Sequence, residues 1–172
     1  MGNLLGKFFG KSEVSGAETE ILHILQKIPI FEDLSDGELM IVENIMHKRE
    51  FGEGEVIMHQ GAAGHGMYVI LKGSVAIAHN PTDPPLAELH EGEFIGEMAL
   101  LDNSPRSASA VAKTHCKTLS FFRPDLFKLI EANPKLGAKV LLRLAGIIGD
   151  RLRKTNEQVK ALQDEVAELK KG

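Results

Sequence analysis

Only one cysteine, Cys116, occurs in the 172-residue chain, so no internal disulfide can brace it and the fold must rest on burial. Tryptophan is absent, tyrosine occurs once and aromatic residues reach only 5%, so the core has to be built from aliphatic side chains. Positive charge is not in excess either. Lys and Arg number 20 against 24 Asp and Glu, a formal net charge of −4, which excludes a general electrostatic grip on nucleic acid while leaving room for a local basic patch. No apolar run approaches spanning length, and no secretory leader pattern is present. Cys116 lies in the apolar run 116–122 and reads as a buried strand residue rather than a nucleophile. With no disulfide framework to maintain, a reducing cytoplasm is the expected compartment.

What the chain does have is a change of period along its length. Ile21, Leu22, Ile24, Leu25 and Ile28 recur at helical spacing, which predicts a helix over 18–28 ended by Pro29. Ser35 and Glu38 have the spacing of a capping box, and Leu39, Val42, Ile45 and Met46 give the helix behind it one apolar stripe. From there alternation replaces helical spacing, and Gly52, Gly54, Gly61, Gly64, Gly66 and Gly73 divide the sequence into short strands. The alternation through 67–77 predicts a hairpin turning at Lys72 and Gly73. The proline-rich stretch 80–85 predicts an exposed loop, because each proline removes a ladder donor. Residues 109–112 and 116–122 read as the closing strands, and Pro124 suits the first turn of a helix running to Ala132. Asn133 and Pro134 break that helix and start another. The fold expected is therefore α+β: an antiparallel β-roll, a jelly-roll-like barrel, with N-terminal helices and a long C-terminal helix.

That last helix carries Leu141, Ala145, Ile148, Leu152, Thr155, Val159, Leu162, Val166 and Leu169 at alternating spacings of four and three, a heptad seam. Such a seam predicts a parallel two-stranded coil and hence a homodimer. Packing on the chain's own β-roll is the alternative for its first half. The organisation expected is a flexible extension over 1–17, the β-roll with its flanking helices over 18–134, and a dimerisation helix over 135–172.

The densest chemistry lies in 94–110. Gly96 permits close backbone approach, and the following Glu97, Met98, Ala99, Leu100 and Leu101 suit a short helix whose free amides point at an anion. Arg106 supplies one permanent countercharge, which matches the single negative charge of a cyclic phosphate. Glu97 can accept hydrogen bonds from ribose hydroxyls.

Gly96 and Glu97, Ala99 and Leu100, Pro105 and Arg106, and Ala108 resemble the phosphate-binding cassette of the cyclic nucleotide-binding domain family. Gln60 and Gly61, the run 67–75, Ala112 to Thr114, and Asn133 with Pro134 follow in the family's order. The resemblance implies a ligand-binding set of Gly96, Glu97, Met98, Ala99, Pro105, Arg106, Ser107 and Ala108. It further suggests Ile77 and Leu86 as walls for base and sugar. In the catabolite-activator-like branch the long helix caps the adenine, which implies that Thr155 contacts the base, that Asn156 of an opposite chain adds a second contact, and that Arg151 pairs with Glu97. A register-fixing polar residue in the seam is the competing reading of Thr155. Ser107 after the cassette arginine is shared with that branch and points to cAMP, with cGMP as the alternative ligand. His65 is expected to be a solvated loop residue.

No helix-turn-helix follows the seam, so DNA binding is not expected, and no enzyme, kinase or channel segment is recognised. The function implied is a cyclic nucleotide sensor that reports occupancy through its last helix to an unknown effector protein. The runner-up is an adaptor module that keeps the fold and senses another ligand or none. A cupin-like metal enzyme would need clustered ligands, and His59, His65, His79, His90 and His115 are scattered in the sequence, so neither a metal nor an organic cofactor is expected. At the N-terminus, Leu4, Leu5, Phe8 and Phe9 beside Lys7 and Lys11 would suit peripheral membrane contact or docking in a partner's groove. A loose or self-packed end is the plainer reading of the same residues.

Overall fold

The computed structural model describes residues 16–102 and 104–170. Helix α1 (Gly16–Lys27) precedes α2 (Asp36–Ile45), and the capping box forms as read. The Glu38 amide donates to the Ser35 hydroxyl at 3.4 Å, while the Glu38 carboxylate accepts the Ser35 amide at 2.9 Å. Two orphan donors of the helix end are thereby satisfied. The segment with Leu4, Leu5, Phe8 and Phe9 lies outside the described residues.

Among the described residues, eight strands make two four-stranded antiparallel sheets. One has the order β1 (His47–Phe51), β8 (Cys116–Phe122), β3 (Gly66–Lys72), β6 (Phe94–Ile95). The other has the order β2 (Val56–Met58), β7 (Ser109–Ala112), β4 (Val75–Ala78), β5 (Ala87–Leu89). This is the expected antiparallel roll. The hairpin over 67–77 is not: β3 and β4 both form, but they belong to different sheets and do not pair. The reason is that β3 is apolar on both faces. Met67 and Val69 join the core beneath the helices, while Ile70 joins the interior of the roll, so β3 needs a central place between β8 and β6. A register shift between Ile70 and Lys72, followed by Gly73 at φ 93°, turns the chain out of the first sheet and into the second.

Two cores result. The larger packs α1, α2 and the two later helices on the outer face of the first sheet, with Leu25, Phe31, Leu39, Phe121 and Leu136 at or below 1% exposure. Each such side chain contributes roughly 1.5–3 kcal/mol of transfer free energy. The smaller fills the roll with Ile57, Ile70, Val75, Ile95, Ala110 and Cys116. Cys116 is fully buried, its thiol donating to the Ser74 carbonyl at 3.2 Å, as a strand residue would.

Helix α3 (Arg123–Ala132) carries Pro124 in its first turn and ends at Asn133, whose side-chain oxygen accepts the Leu136 amide at 3.2 Å and starts α4 (Pro134–Leu169). At Gly137 a Cβ would stand 2.6 Å from Ile130 Cγ1, so the glycine lets α3 and α4 lie close together. The base of α4 buries Leu136, Val140 and Leu144. Three ion pairs hold its first turns to the preceding elements: Lys139 Nζ lies 2.7 Å from Glu38, Arg143 lies 2.9 Å from Glu32, and Arg143 also pairs with Asp33. Beyond Gly149 the helix leaves the core, and residues 150–170 are all exposed. The heptad seam therefore splits, with Leu141 and Ile148 packed against the large core and Leu152, Val159, Leu162, Val166 and Leu169 uncovered. No helix among the described residues is long and apolar enough to cross a membrane.

Candidate functional site

The site forms where β6 runs into the cassette. Gly96 sits at φ 79°, ψ 18°, a left-handed conformation that turns the chain from Ile95 into a short 3-10 turn over Glu97–Leu100. A Cβ on Gly96 would stand 2.3 Å from Arg106 Nη1 and 3.0 Å from the Gly66 carbonyl oxygen. The glycine is thus required twice, by its backbone angle and by the side chain lying against it.

Arg106 is held from several directions. Its Nη1 donates to the Gly96 carbonyl at 3.1 Å and its Nη2 to the Gly66 carbonyl at 2.7 Å. Its backbone amide donates to the Ala62 carbonyl at 2.8 Å, and the Gly61 amide returns a 2.9 Å bond to the Arg106 carbonyl. Loop 61–64 therefore splints the cassette. At Gly64 a Cβ would come within 2.7 Å of the Ala99 methyl, so this contact too requires the absence of a side chain. Burial pushes the half-buried guanidinium below its ordinary pKa, opposed by Tyr68 and Glu97, and it stays ionised at any physiological pH. Among the described residues it forms no ion pair, because the carboxylate of Glu97 is taken by another cation.

That cation is Arg151 of α4, which pairs with Glu97 and lies 5.4 Å from the centre of the Phe94 ring. Glu97 is 1% exposed, and an isolated carboxylate could not be carried that deep without such a partner. The expected pairing of Arg151 with Glu97 is therefore present, and it ties the cassette to the long helix. Asp102 at the cassette's far end accepts the Ser104 hydroxyl at 2.7 Å and its amide at 3.1 Å, which hold the Asp102 carboxyl below its usual range.

Between these groups lies a cavity of about 290 Å³, near the lower bound of small-molecule pockets, roughly 300 Å³. Its chemistry is two-sided. Met58, Ile77, Leu89 and Ile95 make an aliphatic wall, and Glu97, Arg106, Ser107 and Arg151 make a polar one. A ligand suited to it has a flat or apolar body and one compact anionic group.

The cyclic nucleotide-binding domain model matches residues 48–133, half of the chain. The chain belongs to the cyclic nucleotide-binding domain family. It is 33% identical over 142 residues to the cyclic AMP receptor protein of Thermus thermophilus, a match covering 81% of this chain and 64% of that one. It is 28% identical over 143 residues to the cAMP-dependent protein kinase regulatory subunit of Neurospora crassa, covering 81% of this chain and 33% of that one. A solved cyclic nucleotide-binding domain from Methylobacillus flagellatus superposes with a TM-score of 0.69 at 33% identity, over 82% of this chain and 81% of that one. The chain spans less than two thirds of the length of either curated relative.

Within this family member, Gly96, Glu97, Met98, Ala99, Pro105, Arg106, Ser107, Ala108 and Ile77 all line the one cavity. Leu86, Thr155 and Asn156 do not. Leu86 is 59% exposed just before β5, and Thr155, on the exposed part of α4, donates its hydroxyl to the Arg151 carbonyl at 2.9 Å. Met58, Leu89 and Ile95 are wall residues that sequence reasoning missed. Ile95 stands beside Gly96 within 94–110, whereas Met58 and Leu89 come from strands brought to the cassette by non-local pairing, and no local signal marks them.

Proposed function

We infer that this chain is a cyclic nucleotide sensor, that cAMP is its preferred ligand, and that occupancy is passed through α4 to a partner protein. One observation carries the reading: Arg106 is anchored by two backbone carbonyls and presents an uncompensated guanidinium to the cavity. A cyclic phosphate supplies one negative charge and several acceptors for such a group. Ribose hydroxyls would then reach Glu97, competing with Arg151 for its carboxylate. Because Arg151 belongs to α4, a nucleotide that shares or takes Glu97 changes what holds that helix, and the ligand shifts the balance between helix positions by its differential contacts.

The preference for cAMP rests on Ser107 and on the names of the two relatives, one a cyclic AMP receptor and the other the regulatory subunit of a cAMP-dependent kinase. Thr155 and Asn156 would meet the base once two chains associate along the uncovered seam, each helix reaching the other's site. The adaptor reading draws on a separate observation, that Glu97 is already satisfied by Arg151 without any ligand.

Calorimetry with cAMP and cGMP decides between them. Saturable binding with cAMP tighter than cGMP is expected, and Arg106→Ala should weaken it by about 2–5 kcal/mol, the loss typical of truncating one member of a buried charged pair. Absence of heat with both nucleotides would leave the adaptor reading in place, and equal affinity in Arg106→Ala would remove the arginine from the site.

A further inference from the structure

Ser109 opens β7 between β2 and β4, is 1% exposed, and borders the nucleotide cavity. Its hydroxyl is used on both sides. The oxygen accepts the Gln60 amide at 2.9 Å, two residues past the end of β2, and the proton goes to the His79 carbonyl at 2.9 Å, one residue past the end of β4. These roles are forced, because an amide N–H only donates and a carbonyl only accepts. The side chain thus stands where the ladders on both sides of β7 run out, after Met58 faces Ala110 and Ala78 faces Ser109. Taking Arg106 as the group that meets the cyclic phosphate, we propose that Ser109 is a positioning residue of this site, whose hydroxyl fixes the loop that holds Arg106.

Two plainer roles do not fit. Ser109 cannot be a phosphate donor, since its single proton is committed to His79 and what remains on the oxygen is a lone pair. Nor is small size the whole requirement. Ala110 and Ala112 fill the same strand without a hydroxyl, whereas an alanine at 109 would take from the Gln60 amide and the His79 carbonyl the partner each has there.

The hydroxyl holds the start of loop 61–64. Further along that loop, the Gly61 amide donates to the Arg106 carbonyl at 2.9 Å, the Ala62 carbonyl accepts the Arg106 amide at 2.8 Å, Ala63 bridges to Pro105, and Gly64 lies against Ala99. All four contacts tie the loop to the cassette. They fix the two to each other, and apart from the continuous chain they leave the pair without a tie to the sheet. Ser109 supplies that tie. A ring closes from Arg106 through Gly61 to Gln60, across the hydroxyl to Ser109, and three residues back along the chain to Arg106. The Gly96 and Gly66 carbonyls hold the tip of the arginine side chain, and this ring holds its backbone.

The test has two readouts, one of which needs no nucleotide. Amide exchange followed by NMR on the ligand-free chain should be faster in Ser109→Ala at Gln60, Gly61 and Arg106. It should be unchanged at Gly54 and Ala112, whose amides donate to the Ala112 and Glu55 carbonyls away from the loop. Ser109→Thr keeps the hydroxyl and should restore the wild-type rates. In calorimetry Ser109→Ala should bind cAMP roughly tenfold more weakly or worse, as metal sites do when an outer hydrogen bond that orients a ligand is removed. It should also narrow the wild-type preference for cAMP over the weaker of its two phosphorothioate isomers, in which sulfur replaces one exocyclic phosphate oxygen. A merely structural loss would lower all these affinities by one factor and leave their ratio alone. If Ser109→Ala does not fold by circular dichroism, Ser109→Cys, with its weak donor and acceptor, carries the same expectations. Unchanged exchange at Gly61 and Arg106 overturns the proposal whatever the wild type binds. Faster exchange with undiminished cAMP affinity, or with the isomer ratio intact, overturns the positioning role. A wild type that binds neither cAMP nor cGMP would instead sink the cyclic phosphate reading, and this role with it.

Discussion

Gly96 and Arg106 show how much of the site can depend on one missing methyl group. An alanine at 96 would hold φ near 79° at a cost of about 1–3 kcal/mol, as for any non-glycine residue in that region. Its Cβ would also occupy a point 2.3 Å from Arg106 Nη1. The backbone cannot yield without losing the turn into Glu97, so the guanidinium has to move, and its two carbonyl anchors move with it. Gly96→Ala should therefore lower the unfolding free energy by about 1–3 kcal/mol in urea titration, while nucleotide affinity falls by a larger factor than that strain alone implies. Unchanged affinity in a folded variant would show that the guanidinium need not sit where it does. At this scale the sequence was most legible. The residue types at 96, 97 and 106 state their chemistry within ten positions, and nine of the twelve candidate residues line the cavity. Leu86, Thr155 and Asn156 came from resemblance alone, and none of the three lines the cavity of the single chain.

Among the elements, α4 is the one whose attachments matter most, and they are polar as well as apolar. Glu38 accepts Lys139 Nζ at 2.7 and 2.9 Å while also closing its own capping box, and the Lys139 bond, followed by the Ser35 amide, brings its pKa down to about 2 from an ordinary 4.5. A carboxyl whose folded pKa is depressed adds stability that is fully present above its unfolded pKa and is lost as pH falls through the folded one. The contribution should therefore fade between about pH 4.5 and pH 2. Urea midpoints followed across that window should fall more steeply for the wild type than for Lys139→Ala, which keeps the Ser35 contribution and loses the larger one. Parallel acid limbs would mean that the pair is too well solvated to matter. Sequence reasoning foresaw both helices joined here but not the pair, because Glu38 and Lys139 are 101 positions apart. The same limit explains the misplaced hairpin. Alternation shows that 67–71 and 75–77 are strands, yet pairing is decided by β8 and β7, whose partner residues lie 45–56 and 31–37 positions further on.

For the whole molecule the question is what covers the far half of α4. Its base is built into the large core, but Leu152, Val159, Leu162, Val166 and Leu169 are between 46% and 76% exposed and repeat at heptad spacing. The helix projects roughly 37 Å past its last buried residue, Leu144, and beyond Arg151 it gains nothing from its own domain. A second copy meeting it in parallel would bury the stripe and bring Thr155 and Asn156 toward the opposite nucleotide site. Truncation after Lys154 separates the two roles of the helix. Among the described residues it removes only exposed ones, so the urea midpoint of the domain at low protein concentration should stay where it was, and Arg151 remains to pair with Glu97. Sedimentation should nevertheless show a shift toward monomer. cAMP should still bind through Arg106 but more weakly, by the share that Thr155 and Asn156 supply from the paired helices. A truncated chain that stays dimeric would place the interface on the roll or the N-terminal helices. A monomer with undiminished cAMP affinity would keep the seam for assembly and take the base contact away from it.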